Sequence, residues 1–330
     1  MNSVRNFLSV YDFTKDEIYD ILLGSAVLKA ERGRKNVCLE GKKIGMIFEK
    51  SSTRTRVSFE IGIVEFGGYP IFMSSRDLQL GRGEPIKDTA RVLSRYLDGV
   101  IIRTFEQERI ETFARYFEKP VINGLTDLYH PAQILTDIFT VYEIKKSKIV
   151  SGGDIKSDIK NNRTDSSREA GIAADIIGNL KIVYFGDANN MANSWVSLQA
   201  MLGFELVLAM PAGFEIDPAA KEDSKKRGGR FLVSNDKISA AKNADVITTD
   251  VFISMGQGEE KEKIDKLRPF IIDDNVVKNA KDDVIFLHCL PVHRNEEVAE
   301  DVFERFSSVV FEEAENRLHV QKAVMEKIFK

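Results

Sequence analysis

Ser51, Ser52, Thr53, Arg54, Thr55 and Arg56 pack hydroxyl and guanidinium groups into one short turn. An apolar run at 44–48 precedes them. Val57, Ile61 and Val64 follow at helical spacing until Gly67 and Gly68 stop the helix. The turn therefore sets hydroxyls, free backbone N–H groups and two arginines at a helix N-terminus. Unpaired donors and about half a positive charge gather there, and phosphate is the expected ligand. Cations in a first helical turn oppose the dipole by about 0.3–1 kcal/mol each. Arg54 and Arg56 thus make sense as ligand groups, a solvated basic helix start being the plainer alternative. The turn lacks the glycines of a Walker loop, so a nucleotide is not the default ligand.

Four further positions could do chemistry. Arg103 closes an apolar run at 99–104, which puts it at the open end of a sheet, where α/β ligands bind, or on the ordinary surface. His130 stands just before Pro131 at a helix start, with Gln133 in the same turn. The dipole there favours a neutral imidazole, able to donate a hydrogen bond without carrying charge. Asp250 closes the run 244–250, and His288 and Cys289 lie in the apolar run 284–291. A carboxylate and a thiol at strand ends of one sheet mark a site, against a cap and an inert core cysteine as the plain alternatives. The Leu290–Pro291 bond is a candidate cis peptide.

These residues need strands and helices to hold them. A helical lead-in, capped by Asp12 or Thr14, occupies 1–40. Strands at 44–48, 69–73, 99–104 and 119–124 alternate with helices after 53, from about 85, over 106–118 and over 131–144, which predicts a parallel sheet. Residues 147–175 are polar and aperiodic, an exposed insertion ahead of a short helix at 170–178. Strands at 180–185, 205–209, 244–250 and 284–291, with a helix at 217–228, build a second unit. Its first turn, 186–194, is only loosely like a dinucleotide-binding turn. Ala188 replaces the second glycine, and three asparagines suit a polar amino-acid-like ligand better than a pyrophosphate. A short strand and then a helix are expected over 307–325. The resulting fold is α/β, two doubly wound parallel-sheet domains with a C-terminal helix crossing back to the first. The domains run 1–145, joined by the helix at about 312–330, and 146–311.

The 330 residues suit two domains, and 43% hydrophobic with 30% charged residues is ordinary globular composition. A net charge of −4 gives no reason to expect nucleic acid or an anionic membrane as partner. Cys38 and Cys289 make no disulfide framework and no zinc spacing. No apolar run approaches a membrane span and no signal-peptide core opens the chain, so a cytoplasmic protein is expected. None of the four histidines stands at ligand spacing from another obvious metal ligand, so no metal is expected.

In order along the chain stand Ser52-Thr-Arg-Thr-Arg56, Asp77-Leu-Gln-Leu-Gly-Arg-Gly-Glu84, His130-Pro-Ala-Gln133, Asp250 with Ser254-Met-Gly256, His288-Cys-Leu-Pro291 and Glu315-Asn-Arg317. Over nearly its whole length the chain resembles the aspartate/ornithine carbamoyltransferase family, on its ornithine side. It departs from the family in the longer stretch 147–175 and in Ala188. The resemblance implies carbamoyl transfer from carbamoyl phosphate to L-ornithine, giving L-citrulline and phosphate, in arginine biosynthesis. It implies a homotrimer with sites between subunits and no cofactor. Carried over, Ser52, Thr53, Arg54 and Thr55 hold the phosphate. Arg103, His130 and Gln133 take the carbamoyl end, with Gln79 reaching a neighbouring subunit's site and Arg317 completing the pocket. Cys289 and Leu290 line the reacting centre, and Asn190, Asp250, Ser254 and Met255 bind ornithine. Arg54, Arg103, His130, Asp250 and Cys289 are the catalytic set this implies.

The alternative is a carbamoyltransferase for another amine, putrescine or an N-acylated ornithine, and Ser254-Met-Gly256 argues for free ornithine. An aspartate enzyme lacks that loop and His288-Cys-Leu-Pro291. A small-molecule sensor on this scaffold would keep carbamoyl phosphate binding without turnover. A dinucleotide-dependent dehydrogenase fits the domain pattern but not the broken glycine fingerprint.

Overall fold

The computed structural model describes residues 4–34, 36–74, 83–151, 166–253 and 261–330. Thr14 opens α1 (Lys15–Ala30) with a capping box in which its hydroxyl accepts from the Glu17 N–H and the Glu17 carboxylate accepts from the Thr14 N–H. Asp12 closes a second such box with Ser9 on the short turn Val10–Asp12.

The first sheet is parallel, its strands β1 (Lys43–Phe48), β2 (Tyr69–Ser74), β3 (Gly99–Arg103) and β4 (Val121–Leu125) lying in the order β2-β1-β3-β4. Helices α2 (Thr53–Glu65), α3 (Ile86–Leu93), α4 (Gln107–Tyr116) and α5 (Pro131–Ser151) cover it. The chain leaves β1 for β2 on one side and returns to β3 on the other. The carboxyl ends of β1 and β3 therefore flank a switch point, where open sheets bind ligands. Phe48 pairs with Arg103 across it.

Helix α6 (Ser166–Gly178) leads into the second parallel sheet, β5 (Lys181–Phe185), β6 (Glu205–Ala209), β7 (Leu232–Ser234), β8 (Val246–Thr249) and β9 (Ile285–His288), ordered β7-β6-β5-β8-β9. Its helices are α7 (Asn190–Leu202), α8 (Pro218–Lys226), α9 (Lys237–Ala241), α10 (Lys261–Leu267) and α11 (Asp274–Asn279). The switch lies between β5 and β8, so the turn into α7 and Asp250 sit side by side. Gly186 makes that turn at φ +119°, a conformation that favours glycine.

Helix α12 (Glu300–Phe329) is one rod of 30 residues, packed on α1, α2, α5 and the end of β9. It returns the chain to the first sheet, as expected, but it begins at 300 and contains no strand over 307–311. Val302, Phe306 and Val310 recur every four residues, and that helical stripe outweighs the β-branched pair Val309-Val310. The stretch 147–175 is likewise helical at both ends: 147–151 finish α5, and α6 begins at 166 with Ala173 and Ile177 fully buried. Short polar turns of helix hide their period when only one face is apolar. Four elements went unread in the sequence, β7, α9, α10 and α11, all short.

Candidate active site

The carboxyl ends of both sheets face one cleft of about 500 Å³. Ser52 caps α2 by accepting from the Thr55 N–H at 3.3 Å, which fixes the 51–55 turn on the cleft wall. Arg54 points into the cleft, whereas Arg56 turns away to stack on Phe72, 3.5 Å from the ring centre, and to pair with Glu60 at 3.4 Å. Only one of the two sequence-nominated arginines of that turn thus faces the ligand space.

Arg103, at the end of β3, and Arg317, from α12, complete a cluster of three guanidiniums in the cleft. The Nη2 of Arg317 donates to the Thr55 hydroxyl at 2.6 Å, leaving that hydroxyl's own hydrogen for another acceptor. Burial lowers the pKa of all three arginines, those of Arg103 and Arg317 to about 10, and the guanidiniums repel one another. Among the described residues the buried Nε of each has no hydrogen-bond partner. Desolvated, mutually repelling cations are costly alone, and a dianion between them would offset that cost.

His130 is buried beside them with its Nδ1 unpartnered among the described residues. Its pKa falls well below the ordinary 6.5, first through burial and then through Arg317, Arg103 and Arg54. The neutral ring expected from the sequence is therefore produced by desolvation and the arginine cluster. Its backbone N–H donates to Ser194 on α7 at 2.8 Å, which ties the two sheets together at this point. Gln133 lies behind the cleft wall, fully buried. Its Nε2 donates to Asp137 at 2.7 Å and to Glu313 at 3.0 Å, and its Oε1 is unpartnered among the described residues.

The opposite wall belongs to the second sheet. Asp250 follows β8 and accepts from the Cys289 thiol at 3.2 Å, the Val251 N–H at 2.8 Å and the Asn189 amide at 2.8 Å. Burial raises its pKa, and burial with nearby carboxylates holds Cys289 well above the usual thiol range, so the sulfur carries its proton at neutral pH. Leu290 adopts φ +56°, its N–H donates to His288 Nδ1 at 2.9 Å, and the Leu290–Pro291 bond is cis. Asn190 faces the cleft while its amide donates to the Thr126 carbonyl at 2.9 Å, across to the first sheet's side.

Of the sequence-nominated residues, the cleft brings together Ser52, Thr53, Arg54, Thr55, Arg103, His130, Asn190, Asp250, Cys289, Leu290 and Arg317. Gln133 stands one layer back. Gln79, Ser254 and Met255 lie outside the described residues. Sequence reasoning counted Asn189 among the three asparagines of the 186–194 turn but missed its part, which is to cap α7 and hold Asp250. It also missed Lys50 and the ion pair of Lys263 with Asp187 at 2.7 Å, all on the cleft wall. His293 does gather with Glu296 and Glu297, contrary to the expected isolation of the histidines, but one Glu297 oxygen is already held by His288 and the His293 N–H.

Two doubly wound sheets meet at a cleft in which a carboxylate and a protonated thiol face three arginines, an arrangement suited to group transfer from an anionic donor. The chain belongs to the aspartate/ornithine carbamoyltransferase family: the model of its carbamoyl-P binding domain matches residues 5–143 and that of its Asp/Orn binding domain residues 178–328. Among its relatives are ornithine carbamoyltransferases of Sulfurovum sp., 46% identical over 98% of each chain, and of Geobacter sulfurreducens, 46% identical over 99% of this chain and 100% of the other. The solved anabolic ornithine carbamoyltransferase of Campylobacter jejuni superposes with a TM-score of 0.85 at 41% identity, covering 98% of this chain and 99% of its own. That of Pyrococcus furiosus gives 0.83 at 42% identity, over 98% and 96%.

Proposed function

We propose that the chain transfers the carbamoyl group of carbamoyl phosphate to the δ-amine of L-ornithine, giving L-citrulline and phosphate. The observation that carries this reading is the cleft itself. Three guanidiniums, each with an Nε unpartnered among the described residues, and a helix N-terminus line one wall, and the Asp250–Cys289 pair lines the other. Ser52, Thr53 and Arg54 take the phosphate, with Arg317 completing that pocket. Thr55, Arg103 and neutral His130 donate to the carbamoyl oxygen, an oxyanion-hole arrangement in which each donor is worth about 10²–10³ in rate. Gln133, one layer back, is assigned to the carbamoyl amino group through its acceptor oxygen, and Leu290 lines the reacting centre. Asn190 and Asp250 bind ornithine, and Asp250 with the Cys289 thiol orients the amine. The new N–C bond forms as the C–O bond to phosphate breaks, and the amine's proton leaves with the phosphate. A closed cleft keeps water from the labile donor.

The same reading divides the chain into a carbamoyl phosphate unit, 1–145 with the C-terminal helix, and an ornithine unit, 146–311. It makes the protein a cytoplasmic enzyme of arginine biosynthesis and a homotrimer. In support of the trimer, Val57, Ile61 and Val64 on α2 and Tyr69 and Ile71 on the edge strand β2 form an exposed apolar face. Among the described residues no helix is long and apolar enough to cross a membrane.

Citrulline formation from carbamoyl phosphate, with L-ornithine, putrescine, L-aspartate and N-acetylornithine compared, tests the reaction. A strong preference for ornithine is expected, and preference for another amine would discard the ornithine assignment while keeping the donor's. Light scattering tests the assembly, a monomer mass counting against the trimer.

A further inference from the structure

Asp137 and Glu313 are buried carboxyls that the reaction does not touch, at 1% exposure each. They come from different helices, α5 and α12, and both accept from the Gln133 amide, which brings them side by side. Gln133 lies on α5 one turn before Asp137, and its Nε2 gives one hydrogen to Asp137 Oδ1 at 2.7 Å and the other to Glu313 Oε1 at 3.0 Å. Glu313 Oε2 accepts the His288 N–H at 2.9 Å, just before Cys289 and Leu290. Both hydrogens of the Gln133 amide are therefore spent on the carboxyl pair, and only its buried, unpartnered Oε1 remains for a ligand.

We propose that Asp137 and Glu313 are positioning residues that lock the Gln133 amide with its acceptor oxygen towards the donor substrate, so that the site selects a carbamoyl over an acyl phosphate. This rests on the reading of the cleft as a carbamoyl phosphate site. A free glutamine amide can turn by half a rotation and offer either NH₂ or oxygen. An NH₂ facing the donor's own NH₂ would leave two donors opposed in a buried place, and a site holding an unsatisfied polar group rejects its ligand. The carboxyl pair removes that choice, because a flipped amide would set its oxygen against two carboxyl oxygens. Burial and mutual proximity raise the pKa of both acids, so the pair keeps a proton between them and avoids two adjacent buried charges. Through the His288 N–H, Glu313 also sets the height of the β9 end that carries Cys289 and Leu290. The lock and the reacting centre are thus fixed by one group.

Carbamoyl phosphate and acetyl phosphate differ by an NH₂ against a CH₃, so together they isolate the role of the Gln133 oxygen. Asp137→Leu removes one acceptor for the amide. Glu313→Gln, which keeps shape and polarity, leaves one oxygen to serve both the His288 N–H and Gln133, and so covers the case in which the leucine variant does not fold. Asp137→Asn mimics the protonated acid, accepting from Gln133 and donating to Glu313. The KM for carbamoyl phosphate and the inhibition constant of acetyl phosphate are measured in each. In Asp137→Leu and Glu313→Gln the KM is expected to rise about tenfold, the loss of roughly one hydrogen bond, while the acetyl phosphate constant stays within about twofold. Asp137→Asn is expected to bring the KM back to within about threefold of the parent. Equal shifts in both constants, no shift in either, or an asparagine variant as impaired as the leucine one would overturn the inference. A parent protein that neither turns over nor binds carbamoyl phosphate would instead overturn the functional reading, and this inference with it.

Discussion

Arg54, Arg103 and Arg317 show what the site costs its own fold. Each is desolvated, Arg103 and Arg317 are depressed to about 10, and the carboxylates acting on them include Asp250 of the opposite wall, Asp137 of the buried pair and Asp127 near Arg103. Arg54 is the least buried of the three and adds to the repulsion felt by the other two and by His130. Arg54→Ala therefore relieves the folded state while removing a phosphate ligand. Citrulline formation should fall by about 10²–10³, while the urea midpoint stays level or rises. A midpoint that falls with activity would make Arg54 a structural residue. At this scale the gathering of the cleft residues was largely legible in the sequence, because several sit where a chain selected for stability alone would not put them: Arg54 at a helix start, a histidine before a proline, a carboxylate and a thiol at strand ends. Side-chain direction was not legible. Arg56 shares the turn with Arg54 yet leaves for Phe72, a choice made by β2, which a local reading does not see. Asp137 was within reach, four residues from Gln133 on the same helical face, but its partner Glu313 lies far along the chain and gives no local signal.

Strands were legible as elements because those of parallel sheets are buried on both faces and read as short apolar runs. Their order was not, since pairing is set by crossovers, and it is the order that creates the switch points at β1/β3 and β5/β8. Helix α12 was the hardest to read. Its first turns look partly strand-like, and from 313 onwards it buries polar groups, among them Glu313, Asn316 and Arg317. Some of those groups are satisfied across helices: Asn316 donates to Thr140 at 3.0 Å and to Glu143 at 2.8 Å, and Lys322 pairs with Glu65 at 2.6 Å. The far end of α12 is seated by Phe329, whose ring lies against Gly99 at the start of β3. A methyl group at Gly99 would overlap that ring, and the Pro120 carbonyl, 3.3 Å away, leaves little room to move. Gly99→Ala should destabilise the protein by roughly 1–3 kcal/mol as an overpacked contact. Pairing it with Phe329→Leu, which shortens the ring side chain, should recover part of that loss in urea unfolding. No recovery would mean that α12 is not seated there.

At the scale of the molecule, the proposed anion site draws on three parts of the chain that lie far apart in sequence: the start of α2, the end of β3 and the middle of α12. A dianion bound between Arg54, Arg103 and Arg317 would join the first sheet to the helix that closes the molecule and cancel their repulsion at the same time. Binding to the folded state alone stabilises it by about 2.7 kcal/mol at a hundredfold excess over Kd. For a chain of 330 residues, an unfolding entropy of about 2.1 cal/mol/K per residue turns that into a rise of roughly 4 °C in Tm. Inorganic phosphate, the expected product, is a stable probe of this half of the cleft, and its shift can be followed by scanning calorimetry. In Arg317→Ala the α12 contribution disappears while the α2 turn remains. If the site holds α12 to the sheet, that variant should lose most of the phosphate shift, and high salt, which screens the exposed part of the cleft, should reduce the parent's shift without abolishing it. A full shift in Arg317→Ala would confine phosphate to the α2 turn and leave α12 with a purely structural part.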